Sequence, residues 1–316
     1  MEKIIKIQKN IPLAPFTTFK IGGPAKFFIE VKAKAELVSA IAWAKEKKEK
    51  IFIVGGGSNM LVNDQGVDGL VIRLANESMS INKNTIIAGA GVSLAKILKA
   101  AAEKGLSGME WTAGIPKATI GGAVRGNAEA FSSPIGKIVK IVEIFDIRKN
   151  KFAALKQKDC QFKYRDSIFK KKDNYIIWEA KLALKKSNPE KVKKQMIENL
   201  KFRQAMPKLP SAGSVFKNIP LKDIKRARPE LAAKLKALGN ARLGNIGAGL
   251  VIDKILDLKG KKIGGAMISL EHGNFIINTG KATAEDIVNL ICVIKQKARN
   301  KLNLKLEEEI KYLGFE

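Results

Sequence analysis

The sequence predicts an α+β protein of two domains, on three observations. At 316 residues the chain exceeds what one hydrophobic core usually serves. Apolar runs of strand length, bounded by glycine, alternate with segments of helical periodicity. The texture then changes near residues 187–189, where a lysine-rich helical stretch begins. The boundary is therefore set between a larger domain over 1–187 and a smaller one over 188–316, with a connecting helix over 189–204.

The runs 51–54, 70–74, 85–88 and 141–147 read as strands. Ser93 offers a side-chain oxygen to cap a helix in which Leu94, Ile97, Leu98 and Ala101 recur at helical spacing, and Gly105 ends it. Residues 176–184 alternate as a strand covered on one face does. Asn188 before Pro189 joins an N-cap to proline at the first helical position, and Pro207 and Pro210 stop the helix that runs to about Gln204. Beyond it come a strand at 214–217, helices at 229–238 and 249–258, and strands at 266–269 and 275–278. Thr283-Ala284-Glu285-Asp286 reads as a capping box, opening a helix with Ile287, Leu290, Ile291 and Ile294 on one face. A last strand spans 304–312.

Composition excludes several classes. No run approaches the roughly 20 apolar residues of a membrane span. Lysine interrupts every apolar run near the N-terminus, which argues against a signal peptide. Cys160 and Cys292 lie far apart among apolar or helical neighbours and read as reduced, buried thiols, so the cytoplasm is the expected compartment. His272 is the one histidine, a poor basis for a metal site, and no metal is expected. The formal charge of +28 raises nucleic-acid binding as a rival. Lysine dominates that charge, however, with only nine arginines, and it is spread along the chain; aromatics are 6%, so the interleaving that reads bases is missing. The charge reads as a lysine-rich surface favouring anionic ligands at long range, and no specific nucleic-acid or membrane partner is expected. The sequence specifies no oligomeric state.

Three glycine-rich segments fall within the first 130 residues. Ile51-Phe52-Ile53-Val54 runs into Gly55-Gly56-Gly57-Ser58-Asn59, where absent Cβ atoms let backbone N–H groups approach an anion; a tight turn is the plainer reading. No Lys-Ser/Thr follows, so this is not a P-loop, and Met60 breaks the dinucleotide fingerprint. Residues 111–127, with Gly114-Ile115-Pro116 and Gly121-Gly122, are too apolar for a solvent loop and too broken for a helix. Ile21-Gly22-Gly23-Pro24 again sets paired glycines near the hydroxyls of Thr17 and Thr18. Together they suggest a large phosphorylated ligand.

These blocks, with Tyr164-Arg165-Asp166-Ser167, Gly213-Ser214-Val215-Phe216-Lys217-Asn218 and Leu306-Glu307-Glu308-Glu309-Ile310, occur in the order found in the UDP-N-acetylenolpyruvoylglucosamine reductase family, which the chain resembles over nearly its whole length. The resemblance implies a vanillyl-alcohol-oxidase (PCMH-type) FAD-binding domain followed by a smaller α+β substrate-binding domain. It implies an oxidoreductase of peptidoglycan synthesis in which NADPH reduces FAD, and the flavin then reduces UDP-N-acetylglucosamine enolpyruvate to UDP-N-acetylmuramate. Flavin contacts fall to Gly22, Gly23, Gly55, Gly56, Gly57, Ser58, Asn59, Ile115, Pro116, Gly121, Gly122 and Asn127. Substrate contacts fall to Tyr164, Lys217 and Asn218.

Hydride addition to a vinyl ether bearing a carboxylate builds negative charge beside that carboxylate, which needs a cation and donors, and the adjacent carbon needs a proton. The resemblance gives stabilisation of the charged intermediate to Arg165 and Glu309, the latter protonated, and proton donation to Ser214. Each has a plainer reading: Arg165 an ion pair with Asp166, Ser214 a turn or ladder residue, the glutamate run a solvated stretch. Lys217 and Asn218 equally suit strand and turn chemistry. Alternation puts Glu307 and Glu309 on one face, with Glu307 as the reserve to Glu309. His272 reads as structural or pocket-lining. Lys117 and Glu129 depart from the family's glycines, and the short spacing from Arg165 to Ser214 resembles a compact subclass without an extra tyrosine-bearing lid. The alternative function is another PCMH-type FAD oxidoreductase acting on a sugar or alcohol, which explains the glycine loops but not the Arg165, Ser214 and Glu309 blocks.

Overall fold

The computed structural model describes residues 5–237, 241–242 and 244–315. The first four residues of the lysine-interrupted N-terminus and Leu238, the expected end of one helix, lie outside the described residues. The chain divides into two compact units, one of residues 1–11, 25–57 and 67–204, the other of residues 12–24, 58–66 and 205–316. This division differs from a single cut at 187/188. The helix from Pro189 to Gln204 belongs with the first unit because its side chains bond there: Asn199 Nδ2 donates to the Glu110 carbonyl at 2.9 Å and Arg203 Nη2 to the Trp111 carbonyl at 3.2 Å.

The first unit contains β1 (Gln8–Pro12), β2 (Pro24–Val31), α1 (Lys34–Glu46), β3 (Ile51–Val54), β4 (Val67–Leu74), β5 (Met79–Asn82), β6 (Thr85–Gly89), α2 (Leu94–Glu103), α3 (Ile120–Gly126), β7 (Val139–Asp146), β8 (Lys151–Lys156), β9 (Tyr175–Ala183) and α4 (Pro189–Gln204). One sheet has the order β1-β2-β4-β3, with β4 parallel to both β2 and β3. A second has the order β8-β7-β9-β6-β5 and is antiparallel throughout. A single core runs through them, from Ile41, Leu70 and Ile72 to Ile97, Phe145 and Leu182. The local signals hold: Ser93 Oγ accepts the Lys96 N–H at 3.2 Å, Gly105 has φ +62°, and Asn188 Oδ1 accepts the Glu190 N–H at 2.8 Å.

The second unit contains α5 (Leu221–Ala227), α6 (Pro229–Ala237), β10 (Ala266–Ile268), β11 (Ile276–Asn278), α7 (Ala284–Leu302) and β12 (Lys311–Leu313). A short strand at Lys262–Ile263 completes an antiparallel sheet with β10 and β11, and β12 pairs in parallel with Met60–Val62. The core gathers Leu61, Val215, Phe216, Ile252, Ile287, Leu290, Ile291 and Ile294, so the apolar face read for α7 is the buried one. Thr283 Oγ1 accepts the Asp286 N–H at 3.1 Å, and Asp286 returns the bond to the Thr283 N–H at 3.1 Å, closing the capping box.

Four expectations change. The helix at 249–258 is a short α-turn, Ala248–Leu250, followed by a wide π-turn over Val251–Ile255, with the Leu256 N–H on the Val251 carbonyl at 3.0 Å. The strand at 304–312 shrinks to β12 preceded by one bridge, Phe216 opposite Glu308. Residues 214–217 form no regular strand: the Asn274 side chain, not a neighbouring peptide, accepts the Phe216 N–H at 2.9 Å and donates to its carbonyl at 2.8 Å. Cys160 is buried, but Cys292 is exposed, because it falls on the outer side of α7 between the buried Ile291 and Ile294.

Candidate functional site

In the first unit β3 ends in the Gly55-Gly56-Gly57 turn, and residues 117–119 lie against it. A Cβ on Gly56 would overlap the Lys117 carbonyl, so only glycine permits the approach. Lys117 has φ +52°, a left-handed conformation, which accounts for the glycine its resembling family carries there. A Cβ on Gly55 would lie 2.8 Å from Thr119 Oγ1, and one on Gly122 would lie 3.7 Å from the same atom. Thr119 Oγ1 is buried and has no hydrogen-bond partner. A buried hydroxyl is normally satisfied; one left open between the Gly55–Gly57 turn and the first turn of α3 suits a ligand rich in acceptors, as the phosphates and flavin ring of FAD are. Gly121 lies on α3 with Ala90 Cβ 2.8 Å from its own Cβ position, and Ile115 and Pro116 lead into the same loop. Thr119 was missed by motif reading; the signal was a hydroxyl two residues before Gly121-Gly122.

Asn127 is buried and holds the next segment in place. Its Nδ2 donates to the Lys163 carbonyl at 2.8 Å and its Oδ1 accepts the Gly136 N–H at 2.9 Å. Its side chain is thus used on main chain, which fastens a tight turn. Lys163 and Asp166 exchange N–H···O bonds of 3.0 and 3.1 Å, leaving exposed Tyr164 and half-buried Arg165 at the tip. Arg165 has φ +51°, costly for a residue with a side chain and a kind of strain that gathers at functional positions. Its Nη2 donates to the Glu129 carbonyl at 3.2 Å, and its own carbonyl accepts from Lys170 Nζ at 2.7 Å.

The remaining candidates belong to the second unit. Gly22 and Gly23 pack against Val62 and the Asp64 carbonyl, where a Cβ has no room. Ser58 and Asn59 follow the glycine turn in sequence, and Asn59 Nδ2 donates to the Glu309 carbonyl at 3.2 Å. Gly213, with φ +76°, turns the chain into Ser214 in a conformation that favours glycine, and no neighbour crowds it. Ser214 bridges to Phe275, Val215 N–H donates to the Asn274 carbonyl at 2.8 Å, and Glu309 N–H donates to the Val215 carbonyl at 2.7 Å. Ser214 and Glu309, 95 positions apart in sequence (309 − 214), are thereby brought onto adjoining main chain. Lys217 Nζ pairs with Glu307 Oε2 at 3.0 Å; Glu307 is therefore engaged, and it is the more exposed of the two glutamates. Asn218 is exposed.

Asn274 escaped motif reading although it holds the Ser214 segment through two side-chain bonds. His272 supports it, its Nδ1 accepting the Asn274 N–H at 3.1 Å. Burial, reinforced by the Lys259 charge, pushes the His272 pKa below the ordinary imidazole value, so the ring is neutral near pH 7.

The chain matches two family models, an FAD binding domain over residues 25–147 and a UDP-N-acetylenolpyruvoylglucosamine reductase C-terminal domain over residues 204–313. It is 33% identical to the UDP-N-acetylenolpyruvoylglucosamine reductase of Solibacter usitatus, covering 98% of this chain and 97% of that one. It is 36% identical to that of Caldanaerobacter subterraneus, over 98% and 94%. The crystal structure of the Thermus caldophilus reductase superposes with a TM-score of 0.78 at 32% identity, over 98% of this chain and 100% of that one. With both family models matched and the likeness running nearly end to end, this chain belongs to the UDP-N-acetylenolpyruvoylglucosamine reductase family of FAD-containing oxidoreductases.

Proposed function

We propose that this chain reduces UDP-N-acetylglucosamine enolpyruvate to UDP-N-acetylmuramate with NADPH as the reductant, in the cytoplasm, as a step of peptidoglycan precursor synthesis. The geometric observation that carries the reading is the Glu309 N–H on the Val215 carbonyl at 2.7 Å, which joins two distant sequence blocks beside Ser214. The near full-length likeness to named reductases supports the substrate.

Bound FAD supplies the hydride. The Gly55–Gly57 turn, Thr119, Gly121 and Gly122 hold the cofactor, with Thr119 Oγ1 giving it a hydrogen bond that the protein does not use. Arg165, fixed by the Lys163–Asp166 turn, sets its guanidinium against the substrate carboxylate, where negative charge grows during reduction. Glu309, protonated, donates a hydrogen bond to the same developing charge. Ser214 holds the proton that the carbon beside the carboxylate receives. Tyr164, Lys217 and Asn218 bind the nucleotide sugar, with Lys217 leaving or sharing its Glu307 partner to reach an anion.

The test follows NADPH oxidation by FAD-replete protein with and without UDP-N-acetylglucosamine enolpyruvate. Substrate-dependent turnover is expected. Oxidation that ignores the enolpyruvyl ether, or that responds instead to a simple sugar or alcohol, overturns the assignment.

A further inference from the structure

Arg203 lies in the last turn of α4, and the proposed chemistry leaves it without a task. Its Nη2 reaches the Trp111 carbonyl at 3.2 Å, but its Nε is buried with no hydrogen-bond partner. A Cβ on Gly114, one residue before Ile115-Pro116, would lie 2.9 Å from Arg203 Cδ, so the stem of the side chain lies along the candidate flavin loop. Next to it Phe202 meets Phe131 edge to face, with ring centroids 5.3 Å apart. Phe131 lies two residues beyond Glu129, whose carbonyl holds Arg165 Nη2. The end of α4 and the Arg165 turn therefore converge on one segment inside one compact unit.

Arg203 senses the charge of Arg165. Burial first, then the positive charge of Arg165, pushes the Arg203 pKa below the ordinary arginine value, and no carboxylate is among the groups acting on it. A half-buried guanidinium with a donor left open costs stability, and an anion received there removes that cost. A guanidinium fork matches a carboxylate in shape as well as charge.

We propose that Arg203 is a second anion-binding arginine, which together with Arg165 grips the carboxylate of the enolpyruvyl group. The inference rests on the function proposed above, which sets Arg165 against that carboxylate. It assigns to Arg203 the recognition of the group that separates this substrate from an ordinary UDP-sugar.

The test compares equilibrium binding of UDP-N-acetylmuramate, which carries the carboxylate, with UDP-N-acetylglucosamine, which lacks it. Both are titrated calorimetrically into full-length, FAD-loaded protein. Arg203→Gln is expected to weaken the carboxylate ligand by about 10- to 100-fold and to leave the other within about twofold. Arg203→Lys, which keeps the charge but loses the fork, falls between wild type and the glutamine variant for the first ligand alone; it carries the test if the glutamine variant does not fold. Equal weakening of both ligands, assigning Arg203 to the diphosphate or to the fold, overturns the proposal, as does unchanged binding of both. Wild-type turnover separates the two failures. Active wild type with indifferent Arg203 variants refutes the arginine pair alone, whereas inactive wild type refutes the function beneath it.

Discussion

Asn274→Ala removes the side chain that stands in for a strand partner along Phe216. The amide makes two bonds, at 2.9 Å from the Phe216 N–H and at 2.8 Å to its carbonyl, in a place where Asn274 is 3% and Phe216 1% exposed. Two such bonds contribute about 1 kcal/mol each, and stranding the buried peptide groups adds about 1–2 kcal/mol, so a loss of about 3–4 kcal/mol is expected. The functional effect follows from position: Ser214 bridges Phe275, next to Asn274, and a shift of the segment displaces the proposed proton donor. Urea unfolding of the full chain reads the first effect, and rapid mixing reads the second. Reoxidation of reduced flavin by substrate should slow by about 10- to 100-fold, while flavin reduction by NADPH stays within about twofold. A stability loss below about 1 kcal/mol with both half-reactions intact would refute the positioning role.

Three further outcomes are expected. Ser214→Ala should leave flavin reduction by NADPH near normal and slow reoxidation by substrate by about 10²–10⁴-fold; equal losses in both steps point to folding or binding instead. Thr119→Val removes a buried hydroxyl that has no protein partner. Apoprotein stability should hold or rise, while FAD affinity, followed by fluorescence quenching, falls by about 3- to 10-fold; unchanged FAD affinity rejects Thr119 as a flavin contact. Asp286→Ala removes the bonds that its carboxylate accepts from the Thr283 and Gly265 N–H groups at 3.1 and 3.0 Å, at a cost of about 1–2 kcal/mol near neutral pH. The Thr283 N–H, foremost among several hydrogen bonds, holds the Asp286 pKa below its ordinary 3.8. The contribution is therefore full above the unfolded pKa and lost as pH falls through the folded one. The stability gap to wild type should narrow below about pH 4, and a gap independent of pH rejects the carboxylate as its source.

The proposed catalytic blocks are legible in the sequence as residue types, and their arrangement is not. Arg165 is recognisable by its motif, yet its left-handed backbone and its fastening through Asn127 to Lys163 appear only when residues 36 positions apart meet. Glu309 and Glu307 share an alternation face; their difference comes from Lys217, which takes Glu307 across 90 positions. Thr119 and Asn274 belong to no motif that the glycine and serine blocks expose, because their roles come from what surrounds them.

The sequence by itself determined the helices whose ends are chemically marked. Ser93, Asn188 with Pro189, and Thr283 with Asp286 each satisfy orphan N–H groups within three residues, so the information is local. It determined likewise five strands of the first unit, at Ile51–Val54, Val67–Leu74, Thr85–Gly89, Val139–Asp146 and Tyr175–Ala183, whose apolar runs suit a buried sheet whatever their partners. Tertiary structure decided the rest. It joined residues 12–24 and 58–66 to the second unit, kept α4 with the first, and let a side chain 58 positions away replace a strand along Phe216. It also brought the end of α4, where Arg203 has an unsatisfied donor that no motif announces, onto the segment that holds Arg165. Those outcomes depend on loop closure and on the competition among distant hydrogen-bond partners, and neither is written in the spacing of neighbouring residues.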